Sequence, residues 1–77
     1  MQEKFIVLKQ IDDVKSFVNL TMGKNFEIDL VSGKYIVNAK SIMGIFSLDL
    51  SKPICMRADC AENDAFMEEI KQFLPEE

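Results

Sequence analysis

The side chains able to do chemistry are few, and their types and spacing narrow the options quickly. The 77 residues contain no histidine. That removes histidine acid–base catalysis, catalytic triads of the usual kind and any phosphohistidine intermediate. Cys55 and Cys60 are the only thiols, too few ligands for a structural metal site. In a reducing compartment no disulfide between them is expected. Cys55 is close to Arg57, whose charge would lower a thiol pKa. A redox or metal role needs a resolving thiol or further ligands, for which Cys60 is a candidate by spacing alone. The other reading is a pair of small, moderately apolar fillers. No cofactor is expected.

The remaining nucleophile with a telling setting is Ser41, in Lys40-Ser41-Ile42-Met43-Gly44. A serine just ahead of a helical run does one of two things. It caps the helix by accepting a backbone hydrogen bond, or its hydroxyl is modified and carries an anion at the helix N-terminus. Ile42, Met43, Ile45, Phe46 and Leu48 wrap further round that helix than one buried stripe needs, which implies an exposed apolar patch and a partner. Lys40 is placed to orient a phosphate or a partner, or is simply a surface charge. Ser16 and Ser47 lie inside helical patterns, as solvent-facing or packing residues.

These residues need elements to hold them. Lys4-Phe5-Ile6-Val7-Leu8 reads as a first strand, with Phe5 and Val7 on one face and Ile6 and Leu8 on the other. Ile6 and Leu8 then join Cys55 and Arg57 on an uncovered sheet face, unless the register shifts by one and buries them. Gln10-Ile11-Asp12-Asp13 connects to a helix running to about Met22, capped by Asp12 or Asp13. Ile11, Val14, Phe17, Val18 and Met22 form its stripe, and Gly23 is its left-handed stop. Phe26–Leu30 alternates as a strand, Ser32-Gly33-Lys34 turns, and Tyr35–Asn38 returns. The Ser41 helix extends to near Asp49. Ile54–Ala58 is the fourth strand, with Ile54, Met56 and Ala58 inward. A last helix starts between Ala61 and Asn63, with Glu62 and Asp64 in its first turn, and buries Phe66, Met67, Ile70, Phe73 and Leu74. The order βαββαβα predicts an α+β open-faced sandwich, four antiparallel strands under three helices, in a single domain over residues 1–77.

The totals agree with a small globular chain: 48% hydrophobic, 29% charged, with a net charge of −4. That charge supplies no basic field for a nucleic-acid backbone, so no nucleic-acid partner is expected. No apolar run approaches the roughly 18 residues of a membrane span, so no membrane role is expected. Met1-Gln2-Glu3-Lys4 does not begin a secretion signal, and a cytoplasmic location is the expectation.

The segment Asn38-Ala39-Lys40-Ser41-Ile42-Met43-Gly44 resembles the regulatory segment of HPr, the small phosphocarrier of the bacterial sugar phosphotransferase system. Glu62-Asn63-Asp64-Ala65 resembles the start of HPr's last helix, and HPr also has the βαββαβα sandwich. An HPr takes a phosphoryl group on a histidine just before its first helix, with an arginine to bind the phosphoryl oxygens. Aligned without gaps back from Ser41, Gln10 stands at the histidine's place and Asp12 at the arginine's. Aligned forward from the first strand, several residues of this loop are missing. Either way Gln10, Asp12 and Asp13 form a degenerate phosphocarrier loop: an amide is no phosphoryl acceptor there, and two aspartates repel a phosphoryl donor.

The resemblance also implies a role for Ser41. The matching serine is phosphorylated by a dedicated ATP-dependent kinase in many Gram-positive bacteria, and the product acts as a corepressor. The expectation is a non-enzymatic regulatory or adaptor protein of bacterial carbon metabolism, working through Ser41 with Lys40, Ile42 and Met43 as the contact surface. Its partners would be proteins, an HPr kinase, a transcription regulator or a metabolic enzyme among them, and the chain itself a monomer or weak homodimer. The alternatives are a phosphoryl carrier with a non-histidine acceptor, and a structural or assembly domain that has lost the chemistry.

Overall fold

A computed structural model describes residues 1–75. Its elements are β1 (Gln2–Ile6), α1 (Ile11–Met22), β2 (Ile28–Ser32), β3 (Tyr35–Asn38), α2 (Ile42–Phe46), β4 (Ile54–Ala58) and α3 (Ala65–Glu69), which tightens into a 3-10 turn over Ile70–Phe73. The strands form one antiparallel sheet in the order β1-β4-β2-β3. The helices lie on one face, so the α+β open-faced sandwich expected from the sequence is the architecture observed.

Alternation sets which side each strand buries. On β4, Ile54, Met56 and Ala58 are fully buried, while Cys55 and Arg57 point the other way. Ile28 and Leu30 do the same on β2. Against them pack Val14 and Phe17 of α1, Ile45 of α2, and Phe66, Ile70 and Phe73 of the C-terminal helix. The rings of Phe17 and Phe73 meet edge to face at 5.4 Å, and those of Phe26 and Phe66 at 5.6 Å. Burying each such side chain contributes about 1.5–3 kcal/mol. The β2–β3 turn uses Gly33 at φ +59°, with Ser32 paired to Tyr35. A glycine at the first central position is what a two-residue II′ hairpin turn requires.

Several expectations need correction. β1 begins and ends two residues earlier than the apolar run implied, and Ile6 and Leu8 are buried, not on the uncovered face. Ile6 pairs with Ile54, both inward, which turns Phe5 outward. Four apolar residues in a row carry no alternation, so only the cross-strand partner decides the face. β2 likewise starts at Ile28 instead of Phe26. On α1, Ile11 and Met22 are exposed, and the buried stripe runs Val14, Phe17, Thr21. Gly23 keeps a right-handed φ of −83°, and the turn closes by the Lys24 N–H donating to the Thr21 carbonyl. α2 stops at Phe46, short of Asp49, with the Ser47 hydroxyl donating to the Gly44 carbonyl. α3 starts at Ala65 because Asp64 is its cap, its carboxylate accepting from the Phe66 N–H; Glu62 precedes the helix.

Candidate functional site

The Ser41 segment is built from the end of β3. The Asn38 side chain accepts from the Lys40 N–H at 2.8 Å, and the Asn38 carbonyl accepts from the Ser41 N–H at 3.0 Å. That local turn swings the chain off the sheet. Ala39 is fully buried, its N–H donating to the Ile28 carbonyl at 2.9 Å. Two bonds from this segment reach the C-terminal end of α1. The buried Thr21 hydroxyl donates to the Ala39 carbonyl at 3.3 Å, and the Lys40 ammonium donates to the Lys24 carbonyl at 2.9 Å. Lys40 therefore anchors the segment to α1.

Ser41 sits in extended conformation as the N-cap of α2. Its Oγ accepts from the Gly44 N–H at 3.2 Å, and its carbonyl accepts from the Ile45 N–H at 3.1 Å. The cap reading of Ser41 is thus observed directly, and the hydroxyl stays solvent-exposed. Gly44 lets the helix lie close to the strand beneath: a Cβ there would stand 3.2 Å from Ser41 Oγ and 3.3 Å from Val37 Cβ. Ile45 faces the core and Ile42 packs against it half-buried, whereas Met43 is 76% exposed and Phe46 40% exposed. Met43 and Phe46 are three residues apart and so share one face. α2 has only five residues. The hydroxyl's setting rests on this cap and these neighbours, more than on a long helix dipole.

The first helix starts very differently. Gln10 is its N-cap, in extended conformation. The Asp13 carboxylate, one turn in, reaches back and accepts from the N–H groups of Lys9 at 3.0 Å and Gln10 at 3.1 Å. The N-cap is Gln10 and neither Asp12 nor Asp13, contrary to the sequence expectation; Asp13 closes the turn from inside the helix, and Asp12 stands exposed beside it. The backbone donors of Lys9 and Gln10 thus face the chain's own carboxylate, with a second acid adjacent.

The thiols are also placed. Both cysteines are free. Cys55 projects from the uncovered sheet face, its thiol 3.8 Å from Glu3 Oε1. Burial pushes its pKa above the ordinary thiol value and the Glu3 carboxylate adds to this, outweighing the pull of Arg57. The expected activation by Arg57 is therefore reversed. Cys60 is raised as well, by burial first and then by Asp64. Among the described residues, no group of three or more histidine, cysteine, aspartate or glutamate side chains is arranged to hold a metal ion. No helix is long and apolar enough to cross a membrane, among those residues.

Among the described residues, surface clefts of about 140 and 200 Å³ lie beside Lys9 and Phe73 and beside Lys4 and Met67. Both are smaller than the roughly 300 Å³ at which small-molecule pockets begin.

No protein-family model matches the sequence, and no curated protein matches it. Solved structures do. HPr-C-His from Thermoanaerobacter tengcongensis superimposes with a TM-score of 0.76, covering 94% of this chain and 89% of that one at 25% identity. The chain has an HPr-like fold. In it, the residue that opens the first helix is Gln10 and the residue that opens the second is Ser41.

At the start of α2, Ser41 and Met43 are thus exposed while Lys40 is tied to α1 and Ile42 packs half-buried on the core, and Gln10, Asp12 and Asp13 gather at the start of α1. One contributor escaped the sequence reading. Thr21 is a polar residue on the buried stripe of an amphipathic helix, and that position was its one available signal. Phe46, one of the apolar residues expected to wrap round this helix, joins Met43 on the exposed side, a placement that depends on how α2 is rolled on the core.

Proposed function

We propose that this HPr-like chain is a non-catalytic regulatory or adaptor protein that presents the start of α2 to a protein partner, with phosphorylation of Ser41 as its switch. The observation that carries this reading is the exposed pair Met43 and Phe46 standing beside an exposed serine hydroxyl. The closed start of α1 supports it from the other side, because a phosphoryl group delivered there meets Asp12 and Asp13 and finds no histidine. A phosphate on Ser41 adds up to two negative charges next to Ile42 and Met43, which changes the partner that the patch accepts. Candidate partners are an HPr kinase, and a transcription regulator or metabolic enzyme of bacterial carbon metabolism.

The test is intact-mass spectrometry after two parallel incubations, each with an ordinary HPr as control. One contains ATP and an HPr kinase, the other phosphoenolpyruvate and the first enzyme of the phosphotransferase system. A single phosphate from the kinase reaction alone, absent in Ser41→Ala, is the expected result. Labelling from phosphoenolpyruvate overturns the non-carrier reading. No labelling by the kinase, with its control phosphorylated, removes the switch.

A further inference from the structure

Opposite its helices the sheet has a second face, which no element covers among the described residues. The strand registers align its outward side chains in two rows that cross all four strands. One row is Phe5, Cys55, Val31 and Ile36; the next is Glu3, Arg57, Asp29 and Asn38. The ends of the apolar row are open, Phe5 at 60% and Ile36 at 62% exposure. The polar row runs negative, positive, negative, neutral. Within it Arg57 is under-used. Its Nε is buried with no hydrogen-bond partner, and its ion pair with Glu3 is long, at 3.8 Å. Asp29 lies directly across from it on β2, yet no salt bridge joins them among the described residues.

We propose that this open face binds a second copy of the chain, sheet to sheet, about a two-fold axis parallel to the strands. The rotation reverses strand order but keeps each residue at its height along the strands. The apolar row then lies on the apolar row, with Phe5 over the partner's Ile36 and Cys55 over the partner's Val31. The polar row lies on the polar row, with Arg57 over the partner's Asp29 and Asp29 over the partner's Arg57. The guanidinium, on a side chain 41% exposed, gains a second carboxylate beside its long pair with Glu3, and each contact occurs twice, as a two-fold interface demands. A two-fold axis across the strands instead sets the apolar row on the charged one or leaves the charges unpaired, at a desolvation cost. This face matches its own image in charge and in hydrophobicity under a single operation.

The size of the face fixes how tight the dimer is. Four strands about 4.8 Å apart and five residues at about 3.3 Å each cover roughly 20 by 17 Å. That is below the roughly 800 Å² per partner of a standard interface. The dimer is therefore weak and concentration-dependent. It leaves α2 on the opposite side free, so it does not depend on the proposed role of Ser41.

Sedimentation equilibrium of the full chain, from micromolar to millimolar concentration, tests this. The native chain should rise from the mass of one chain toward two. Asp29→Arg and Arg57→Asp should each stay monomeric, because each stacks like charges across the axis. An equimolar mixture of the two should dimerise again, since all four charges then pair between chains. Phe5→Lys, at the exposed strand edge, should weaken the native dimer by about tenfold or more, and it keeps the test decisive if a charge variant misfolds. A native chain that stays monomeric throughout, charge variants that dimerise like the native chain, or a folded mixture that stays monomeric would each overturn the proposal.

Discussion

The starts of α1 and α2 place backbone donors in opposite chemical settings. At α1 the donors of Lys9 and Gln10 are satisfied by the Asp13 carboxylate. At α2 the donor of Gly44 is satisfied by the neutral hydroxyl of Ser41. A charged cap fixes a helix start and repels anions; a neutral one fixes it almost as well and leaves a site that can be given charge later. The difference extends to the surroundings. Asp12 adds like charge beside the first, while Met43 and Phe46 put exposed apolar surface beside the second. One start carries two carboxylates and no histidine, and the other an exposed serine beside exposed apolar side chains, although both belong to an HPr-like fold.

The sharpest way to break this contrast is to supply the missing nucleophile. Gln10→His alone should label only slowly with phosphoenolpyruvate and the first phosphotransferase enzyme, because the Asp13 carboxylate still lies against the Lys9 and Gln10 N–H groups and repels the phosphoryl group. Gln10→His combined with Asp13→Ala should label faster by about tenfold or more, the equivalent of roughly 1.4 kcal/mol of relieved repulsion. Rapid quench with intact-mass detection measures both. Equal labelling of the two variants would show that the carboxylate does not close the site.

A second comparison separates anchor from display within α2. Ile45 is fully buried and Met43 is mostly exposed, two residues apart. Ile45→Ala should cost about 2–5 kcal/mol in urea unfolding. Met43→Ala should stay within about 0.5 kcal/mol of the native chain while weakening partner capture. Comparable losses for the two would mean that Met43 is not a free surface residue.

The two caps themselves differ less. Ser41→Ala should cost about 1 kcal/mol, and Asp13→Ala a similar amount, since each leaves helix-start donors without a side-chain acceptor. Thermal melts of the single and double variants should show additive losses, because no residue is shared between the two caps.

The sequence carried some of this arrangement and hid the rest, for reasons that individual residues make plain. β4 and the Gly33 turn were legible because Ile54-Cys55-Met56-Arg57-Ala58 alternates and a glycine sits where a positive φ is needed. The edges of α1 were legible from the polar connection before it and the glycine after it. The face of β1 was not, since Phe5-Ile6-Val7-Leu8 is apolar throughout and only pairing with β4 decides that Ile6 turns in. Ser41 could be read as a cap from its place ahead of an apolar run. That Asp13 caps α1 from its first turn, and that Thr21 and Lys40 tie the Ser41 segment to α1, depend on contacts between elements that no local pattern encodes. Cys55 shows the same limit. Its neighbour in sequence, Arg57, suggested activation, but its neighbour across the sheet, Glu3, together with burial, raises its pKa.

That reversal gives a modest pH effect. A thiol whose pKa is raised on folding holds its proton more tightly in the native state. Its contribution is complete below the unfolded thiol pKa and is lost as pH rises through the native value. Cys55 should therefore alkylate more slowly than a free thiol at neutral pH, and native stability should decline on the alkaline side. Glu3→Gln should speed alkylation, and Cys55→Ser should remove part of the alkaline decline. Peptide mapping of iodoacetamide adducts against pH checks the first pair of expectations; denaturant melts at alkaline pH check the last.

The smallest expected effect lies at Gly44, where two opposing terms nearly cancel. Replacing a helical glycine by alanine ordinarily gains about 1 kcal/mol from lower backbone entropy in the unfolded chain. Here the new Cβ would sit 3.2 Å from Ser41 Oγ and 3.3 Å from Val37 Cβ. The serine hydroxyl can rotate away, but it is the cap, and moving it gives up the bond from Gly44. Val37 Cβ is fixed to a paired strand and yields only if α2 lifts off the sheet. Gly44→Ala should therefore show no gain, or a loss of up to about 1 kcal/mol, and it should raise the exposure of Ile42 as the helix shifts. Urea unfolding with amide exchange across residues 41–46 measures both. A clear gain in stability would mean that the Ser41 cap and the close seat on Val37 contribute little to holding α2 in place.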